Sequence, residues 1–458
     1  MKINKQVELY SMISEFCYDR AKQIYGDTLS KNLEDRLTFE LSAIKNNDYA
    51  MIYMTTYQSV KNSKNKGRIV GVRGNAGASF VSYLLGITEV NPLPPHYYCK
   101  NCGTADFDVY GIEGFHVGDV GTDLPDKVCG TCGSVLSKDG FDLRVETFLS
   151  LNGNMIPCFE IIVSGDTQTE SDISMLKKVI DNVGINPDTI SITESDILSM
   201  LKKLKGYTGV DPEAIFFDDE QVMSLFTSTN ALGIKPDDIG GISIGTIGVH
   251  EFGSYHGIRN IIEKVRPQKF SDLIRVLGLA HGADVWNDNT DNLIDNGYIQ
   301  LFECISNRDD IMTYLEKKGL NRNEAFGIMQ YVRMGRGRSG IKDEWKDSMK
   351  ANGVPDWYLD SCEKISYLMS KANLAVYAVM SWRLLYYKLY YPEAFYRVWM
   401  EHNAEIKEEG LIEKGYEFAK EQFEELRNMD REKMGQHEIE MLDIMSVIME
   451  IHAREIKL

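Results

Sequence analysis

Apolar and polar positions alternate along the chain with two different periods, which predicts a mixed α/β protein. In residues 29–44, leucine and isoleucine recur every three or four positions with charges between them, as on one face of a helix. Residues 159–163, Phe-Glu-Ile-Ile-Val, form a short apolar run that is typical of a buried strand. Residues 50–60 and 68–74 look strand-like or mixed, and the second segment ends at glycines.

The remaining residues predict an irregular insert followed by helices. Residues 91–140 are rich in glycine, proline, cysteine and aspartate, which indicates irregular structure. Short amphipathic helices are predicted on both sides of the turn at 184–188, and residues 213–400 alternate helices with glycine-rich loops. The last 58 residues are predicted to be helical because they carry one apolar stripe, formed by Ile439, Leu442, Met445, Ile448, Met449 and His452.

The charge of the chain limits its choice of partners. The net charge is −18, from 50 basic and 68 acidic residues, which does not favour contact with duplex DNA over the whole surface. The acidic excess is concentrated in residues 401–458, whereas residues 254–350 are close to neutral and could touch nucleic acid locally. No apolar run is long enough to span a bilayer, and the start of the chain lacks the apolar centre of a signal peptide. We expect a soluble cytoplasmic protein without a membrane partner.

Four of the eight cysteines occur as two Cys-x-x-Cys pairs, Cys99 with Cys102 and Cys129 with Cys132. Two such pairs supply the four thiolates of a tetrahedral zinc site, and no coordination position is left for chemistry. We therefore predict a structural zinc ion, against the alternative of four free thiols. The glycines after these cysteines are expected to serve tight turns with positive φ, at Gly103, Gly130 and Gly133. The other cysteines follow no framework pattern: Cys17, Cys158, Cys304 and Cys362.

Several long motifs, in a fixed order, resemble PolC-type bacterial DNA polymerase III. Those similar to its palm are GVRGNAGASF (71–80), ITEVNPLPPHYYCKNC (87–102), GTDLPDKVCGTCG (121–133) and KDGFDLRVETFLS (138–150). Those similar to its fingers are GTIGVHEFGS (245–254), FSDLIRVLGLAHGADVW (270–286), RDDIMTYLEKKGL (308–320), VPDWYLDSCEKI (354–365) and KANLAVYAVMSWRLLYYKLYYP (371–392).

The resemblance implies a palm of the polymerase β nucleotidyltransferase type, followed by mainly helical fingers. On this basis the chain is expected to be a truncated and degenerate relative with four parts. These are a reduced palm at 1–92 and 141–211, a zinc-binding insert at 93–140, fingers at 212–400, and an acidic helical segment at 401–458.

The catalytic positions of the family are changed in this chain. The family's PD-x-D strand, followed by SGE, provides its first two metal-binding aspartates. The matching positions here are Cys158 and Glu160, and the third aspartate matches Ser191. A thiol is a poor ligand for Mg²⁺, and glutamate is longer than the site requires. The stretch 166–190 also looks too short for a complete palm and thumb. We therefore predict no catalytic residue, no magnesium cofactor and no polymerase activity.

Other residues that the resemblance implicates could bind phosphate or nucleic acid. They are Arg73, Gly74, Gly77 and Ser79 in the phosphate loop and Arg333, Arg336, Arg338 and Lys371 in the fingers. The alternatives are that the glycines only preserve the shape of a turn and that the basic residues form a solvated surface. Asn373 stands where the family has histidine. His281 is either a contact to substrate or an ordinary histidine of the core or a turn.

Three functions are compatible with this pattern. The first is a non-catalytic module that binds primer-template or single-stranded DNA, a nucleotide or a replisome protein. The second is a decoy or regulator that acts through protein contacts, which the acidic charge favours. The third is a polymerase with residual activity. The exonuclease, the phosphoesterase-like and oligonucleotide-binding domains, and the sliding-clamp peptide of the family are not recognised in the sequence.

Overall fold

The protein is mainly helical and contains two small sheets. The computed structural model describes residues 2–254, 257–403, 410–430 and 434–458. The helices in chain order are α1 (Lys2–Tyr25), α2 (Lys31–Asn46), α3 (Ala50–Asn65), α4 (Phe80–Leu84), α5 (Glu146–Leu149), α6 (Thr169–Val183), α7 (Asp196–Thr208), α8 (Glu220–Ser224), α9 (Ile258–Val265), α10 (Phe270–His281), α11 (Asp291–Asp295), α12 (Arg308–Lys318), α13 (Arg322–Arg333), α14 (Asp343–Ala351), α15 (Asp356–Lys364), α16 (Lys371–Tyr390), α17 (Pro392–His402), α18 (Gly415–Arg427) and α19 (Gln436–Ala453). The predicted mixture of helices and strands is thus present, with helices dominating.

The contacts within the chain define two compact units. Unit 1 comprises Met1–Glu194 and His281–Val376. Unit 2 comprises Ser195–Ala280 and Tyr377–Leu458. The predicted borders of palm, insert and fingers at 92, 140, 211 and 400 differ from this division, and they stay predictions.

The first sheet of unit 1 consists of three strands in the order β1-β5-β6. They are β1 (Val70–Arg73), β5 (Phe159–Val163) and β6 (Ile190–Glu194). β5 pairs antiparallel with β1 and parallel with β6, and α6 forms the crossover that a parallel pair requires. Apolar residues cover one face, where Ile161 and Ile190 are buried. The other face carries the polar residues of the candidate site.

The second sheet of unit 1 belongs to the cysteine-rich insert. Its strands are β2 (His96–Tyr98), β3 (Ala105–Asp106) and β4 (Ser137–Asp139), and β2 is the central one, antiparallel to both neighbours. A small apolar core lies beside this sheet, formed by Tyr97, Val109, Phe115 and Leu124. The predicted irregular insert therefore has a core of its own in addition to its cysteines.

Unit 2 contains a buried charged network that connects three helices. The Lys388 ammonium on α16 lies 2.8 Å from the Glu450 carboxylate on α19, and both side chains are fully buried. Lys388 also donates to the carbonyl oxygens of Gly245 and Ile247, at 2.9 and 2.6 Å. The Tyr396 hydroxyl on α17 donates to Glu450. Because each charge has several partners, the pair is tolerated in the core.

Most of the segments predicted from periodicity have the expected structure. The apolar stripe of 29–44 lies on α2, where Leu33, Leu37 and Ile44 are buried. Residues 159–163 form β5. The prediction for residues 50–60 is wrong, because they belong to α3, whose buried positions recur at helical spacing. Between the two predicted amphipathic helices, the chain also forms β6, for which we made no prediction.

The C-terminal prediction agrees with α18 and α19, and residues 404–409 and 431–433 lie outside the described part. Among the described residues, no helix combines the length and the apolar character needed to cross a membrane.

Candidate functional site

Three residues at the predicted catalytic positions and phosphate loop form a row across the first sheet. Arg73 on β1 is directly opposite Glu160 on β5, and Glu160 is directly opposite Ser191 on β6. The Arg73 guanidinium forms an ion pair with the Glu160 carboxylate. Ser191 is exposed and Glu160 is partly exposed, so this face of the sheet is open to solvent. The structure thus brings together residues that the resemblance had only matched by position.

Cys158 lies immediately before β5 and is half-buried. Burial raises the pKa of its thiol, and the nearby Asp188 carboxylate raises it further. The group is therefore a neutral thiol near pH 7, and a neutral thiol is a weak metal ligand. Asp188 was not identified from the sequence, although it lies three positions before Ser191.

Carboxylates do not gather at this row. In the parts of the chain that the structure describes, only one group of three or more His, Cys, Asp or Glu side chains could hold a metal ion, and it consists of cysteines. Two-metal phosphoryl transfer requires two ions about 4 Å apart, held by several oxygen ligands. The row offers one carboxylate, and an arginine binds it.

Several backbone N–H groups of the phosphate loop already donate hydrogen bonds to other groups of the protein. The Gly74 N–H donates to Oδ1 of Asn373 at 3.1 Å, although the two residues are 299 positions apart. The Ala76 N–H donates to the Cys158 carbonyl, and the Gly77 N–H donates to the Gly74 carbonyl, each at 3.2 Å. A bound phosphate would have to replace such partners, because each N–H has one proton to donate.

Ser79 ends the phosphate loop and is fully buried. Its hydroxyl donates to Glu40 at 2.7 Å and accepts from the Ser82 N–H, which makes it the N-cap of α4. Glu40 also accepts from the N–H groups of Phe80 and Val81, at 3.0 and 3.1 Å. This carboxylate thus occupies the anion-binding end of α4. Glu40 could not be assigned to this site from the sequence, because it is a charged residue of α2 and lies far from the loop along the chain.

The three arginines of the fingers motif have different surroundings. Arg333 donates to Gln330, and Arg338 donates to Ser366 at 3.0 Å and lies 3.7 Å from Asp284. Arg336 is exposed. Gly335 has a φ of +70°, and a Cβ there would lie 2.6 Å from the Ser366 carbonyl oxygen. This close packing gives the loop a defined shape.

Lys371 and His281 have opposite degrees of burial. Lys371 is buried, and its ammonium donates to the Gly118 carbonyl at 3.1 Å. Next to it is Asp309, which is also buried, and this burial raises the pKa of the Asp309 carboxyl, although Arg308 and Lys371 oppose the effect. His281 is exposed at the end of α10. The predicted binding roles of Lys371 and of the arginines stay predictions.

The four predicted cysteine ligands converge. The sulfur atoms of Cys99, Cys102, Cys129 and Cys132 all lie within 4.8 Å of one another. The Cys99–Cys132 and Cys102–Cys129 distances are 3.6 and 3.9 Å. A tetrahedral site with Zn–S bonds of about 2.3 Å has sulfur atoms about 3.8 Å apart, so this arrangement fits a metal ion of that kind.

The two halves of the cysteine cluster have the same backbone pattern. The Cys99 N–H donates to the Thr104 carbonyl at 2.8 Å, and the Cys129 N–H donates to the Ser134 carbonyl at 2.7 Å. Gly103 and Gly133 then have φ values of +63° and +72°, as predicted. The prediction for Gly130 is wrong, because Gly130 is not among the positive-φ residues. It lies between the two ligands, where the turn does not require a left-handed conformation.

Comparisons with known proteins match most of the chain to one family. Residues 11–179 match the model described as the bacterial DNA polymerase III alpha NTPase domain. Residues 172–353 match the model of the bacterial DNA polymerase III alpha subunit finger domain.

Similar proteins are described as DNA polymerase III PolC-type. The chain is 33% identical to the protein from Caldanaerobacter subterraneus subsp. tengcongensis, with 96% of this chain and 37% of the relative covered. It is 34% identical to the protein from Oceanobacillus iheyensis, and that alignment covers 90% of this chain and 35% of the relative. It is 32% identical to the protein from Bacillus subtilis, and that alignment covers 86% of this chain and 33% of the relative. The chain thus spans about a third of the length of these relatives.

The first of these alignments extends over 531 positions, more than the 458 residues of this chain. The relative therefore carries insertions that this chain does not have.

Proposed function

The chain belongs to the PolC-type family of bacterial DNA polymerase III alpha subunits, and we propose that it is a polymerase-like replication protein that binds without catalysing nucleotide transfer. The observation that carries this proposal is that the three positions matched to aspartates, Cys158, Glu160 and Ser191, hold one carboxylate, and that Arg73 forms an ion pair with it. The first sheet, with its crossover α6, corresponds in this proposal to a reduced palm.

Electrostatics explain why the row cannot hold two magnesium ions. Mg²⁺ needs near-octahedral oxygen ligands at about 2.0–2.1 Å, and few positional errors are tolerated. The positive charge of Arg73 offsets that of the Glu160 carboxylate and competes with a cation for it. Cys158 stays a thiol, and the hydroxyl of Ser191 carries no charge to offset that of a metal ion. The nucleotide would therefore lack both ions that activate it in two-metal transfer.

Nucleotide binding at the phosphate loop is disfavoured for a related reason. The Gly74 N–H already has Asn373 as its partner, and Glu40 already occupies the start of α4. A triphosphate would meet a carboxylate where a helix N-terminus usually attracts an anion. We therefore place DNA, rather than a nucleotide, first among the ligands.

The proposed contact with DNA lies on the loop that carries Arg336 and Arg338. Both side chains are exposed, and the loop is held in shape by the approach of Gly335 to Ser366. A rigid loop with two guanidinium groups is suited to phosphates of the backbone. Such contacts position DNA without reading its sequence.

A fluorescence anisotropy titration tests this proposal. A labelled primer-template is titrated with the protein between about 50 and 200 mM salt, and the affinity is expected to fall with salt, since counterions are released on binding. The double variant Arg336→Ala with Arg338→Ala should lose about two phosphate contacts. The slope of log affinity against log salt should therefore become shallower by about 2. The control, Lys346→Ala, changes a surface lysine that is already paired with Glu363. Absence of binding at the lowest salt would contradict DNA as the ligand.

The net charge of −18 favours a second candidate, a regulator that contacts proteins rather than DNA. Failure of the DNA titration, together with co-purification of a replication protein from the native cells, is the result expected for this candidate.

We also propose that the metal of the four-cysteine cluster is zinc. Four thiolates fill the tetrahedral shell that zinc prefers, and sulfur ligands disfavour magnesium and calcium. The role is structural, because no ligand position is left for water or substrate.

A further inference from the structure

A cavity of about 600 Å³ lies in unit 1, between the cysteine-rich insert and helices α12 and α15. The insert lines it with Tyr110 and Phe115, α12 lines it with Tyr314, and α15 lines it with Trp357 and Tyr358. Its volume falls in the range of about 300–1,000 Å³ that is typical of ligand pockets. The cavity is therefore large enough to hold a ligand of its own.

Aromatic rings in parallel pairs form part of the lining. The ring centres of Tyr314 and Tyr358 are 4.2 Å apart with an angle of 12° between the planes, and those of His116 and Phe302 are 3.8 Å apart at the same angle. The ring of Trp357 meets that of Tyr358 edge to face, at 5.4 Å. Flat walls of this kind favour a ligand with compact rings, such as the pyrrolidine of proline.

A buried hydroxyl without a partner also belongs to the lining. Tyr358 is 1% exposed, and its hydroxyl has no hydrogen-bond partner in the described part of the chain. Burial raises its pKa well above the usual value, and Cys362, Asp310 and Tyr314 add to this effect, so the group keeps its proton. The neighbouring Trp357 carries an indole N–H, which can only donate. An unsatisfied buried donor is unfavourable, so the cavity favours a ligand that brings acceptors.

The remaining features of the lining select the form of that ligand. The lining contains three lysines and four acidic residues, so no basic excess attracts a nucleic-acid backbone. None of its residues belongs to a strand, so it offers no sheet edge to an added strand. A helical partner uses its carbonyl groups within the helix. A polyproline II segment has no internal hydrogen bonds, and its carbonyl groups are free to accept.

We propose that this cavity binds a proline-rich segment of another protein in the polyproline II conformation. Its pyrrolidine rings would pack against the rings of Tyr314 and Tyr358, and one of its carbonyl groups would accept from the Tyr358 hydroxyl. A second copy of this chain does not supply the segment, because its densest group of prolines, at residues 92–95, is mostly buried. The inference does not depend on DNA binding by the loop of Arg336 and Arg338.

The direct test is fluorescence anisotropy with a labelled peptide of about ten prolines and the full-length protein. A matched peptide has alanine in place of every proline. We expect the proline peptide to bind at least tenfold more tightly than the alanine peptide, since its conformation is already formed. Equal affinities, or no binding of the proline peptide, would overturn the proposal. Calorimetric binding of deoxyadenosine in the absence of proline-peptide binding would instead assign the cavity to a nucleobase and overturn it as well.

A matched pair of variants identifies the site. Tyr358→Phe keeps the ring and removes the hydroxyl without a partner, and Tyr49→Phe removes a hydroxyl that donates to the Asn154 carbonyl at 2.9 Å, outside the cavity. Tyr358→Phe is expected to weaken binding of the proline peptide about fivefold, the effect of one hydrogen bond, and Tyr49→Phe should leave the affinity unchanged. Equal affinities of the two variants for the peptide would contradict binding in the cavity.

The stability of the same two variants tests the premise without any ligand. Tyr358→Phe should leave the free energy of unfolding unchanged or raise it, because no hydrogen bond is lost. Tyr49→Phe should lower it, because a hydrogen bond is lost. Urea unfolding of both proteins gives the two values. An equal loss in both would show that the Tyr358 hydroxyl is already satisfied in the folded protein, and the proposal would be overturned.

Discussion

The guanidinium of Arg73 forms an ion pair with the carboxylate of Glu160, its direct neighbour across the antiparallel pair of β1 and β5. The pair lies on the open face of the sheet, beside Ser191 of β6. A positive charge next to the one carboxylate of the row competes with any cation for it. The same contact ties the two strands together at the positions that the resemblance matches to the family's metal-binding aspartates.

Replacing Asn373 with alanine should open the phosphate loop. The Gly74 N–H would lose its 3.1 Å partner and become available to an anion. A hydrogen bond to a charged acceptor contributes about 1.5–3 kcal/mol, so the affinity for tripolyphosphate is expected to rise about tenfold in isothermal titration calorimetry. Asn352→Ala is the control, since its amide donates to the Ser348 carbonyl at 2.8 Å. Unchanged affinity in Asn373→Ala would show that this contact does not close the loop.

Loss of one cysteine ligand should release the metal. Cys99→Ser leaves three thiolates around a site whose sulfur atoms lie within 4.8 Å of one another. We expect about one zinc per chain in the unchanged protein and less than a fifth of that in Cys99→Ser, by mass spectrometry of the metal content. Cys158→Ser is the matched control, because Cys158 lies outside the cluster. Equal metal content in all three proteins would contradict the assignment.

The glycines around the cysteine ligands should differ in their tolerance of alanine. At Gly103, φ is +63° and a Cβ would lie 2.6 Å from the Cα of Gly26, so Gly103→Ala should be the most destabilising. Gly133→Ala has a positive φ but open space, and we expect a loss of about 1–2 kcal/mol. Gly130→Ala has neither problem and should be neutral. Urea unfolding measures the three values, and an equal loss at Gly130 would contradict the geometry.

The buried pair of Lys388 and Glu450 gives a prediction for unit 2. Glu450→Leu leaves a buried ammonium without its counter-charge and should lower the free energy of unfolding by about 3–5 kcal/mol. Lys388→Met combined with Glu450→Leu should recover part of that loss, because replacing both charges removes their desolvation, whereas the Tyr396 hydroxyl and the Gly245 and Ile247 carbonyls lose a partner. Urea unfolding of the two variants tests this. A double variant as unstable as Glu450→Leu would contradict it.

The same pair predicts a dependence of stability on pH. Burial lowers the pKa of Lys388 to about 8, against about 10.4 in an unfolded chain. Between these values the unfolded chain holds a proton that the folded protein has released, so this group makes the free energy of unfolding rise with pH. The rise between pH 7.5 and 9.5 should be absent from the variant with Lys388→Met and Glu450→Leu. If the free energy of unfolding changed with pH in the same way in the unchanged protein and in this variant, the lowered pKa of Lys388 would be contradicted.

Local patterns explain what could be predicted from the sequence. The cysteine cluster was predictable because each pair forms one turn, so spacing alone identifies its ligands. The stripe of α2 was predictable because apolar residues at helical spacing share one face. Residues 50–60 were assigned wrongly, because a short apolar run does not by itself distinguish helix from strand.

Long-range contacts explain what could not be predicted. The partner of the Gly74 N–H is 299 positions away, and the carboxylate at the start of α4 comes from Glu40 on another helix. Neither contact leaves a local pattern. The match of Glu160 and Ser191 to catalytic positions likewise came from the family resemblance. Their register, and the ion pair of Glu160 with Arg73, came from the fold.

A primer-extension assay tests the central claim most directly. Purified protein is incubated with a labelled primer-template, Mg²⁺ and all four deoxynucleotides, next to Glu160→Gln and to a PolC-type relative as the positive control. We predict extension by the relative and none by this protein or its variant, because one carboxylate held by Arg73 cannot bind two metal ions. Extension by the unchanged protein that Glu160→Gln abolishes would contradict the account.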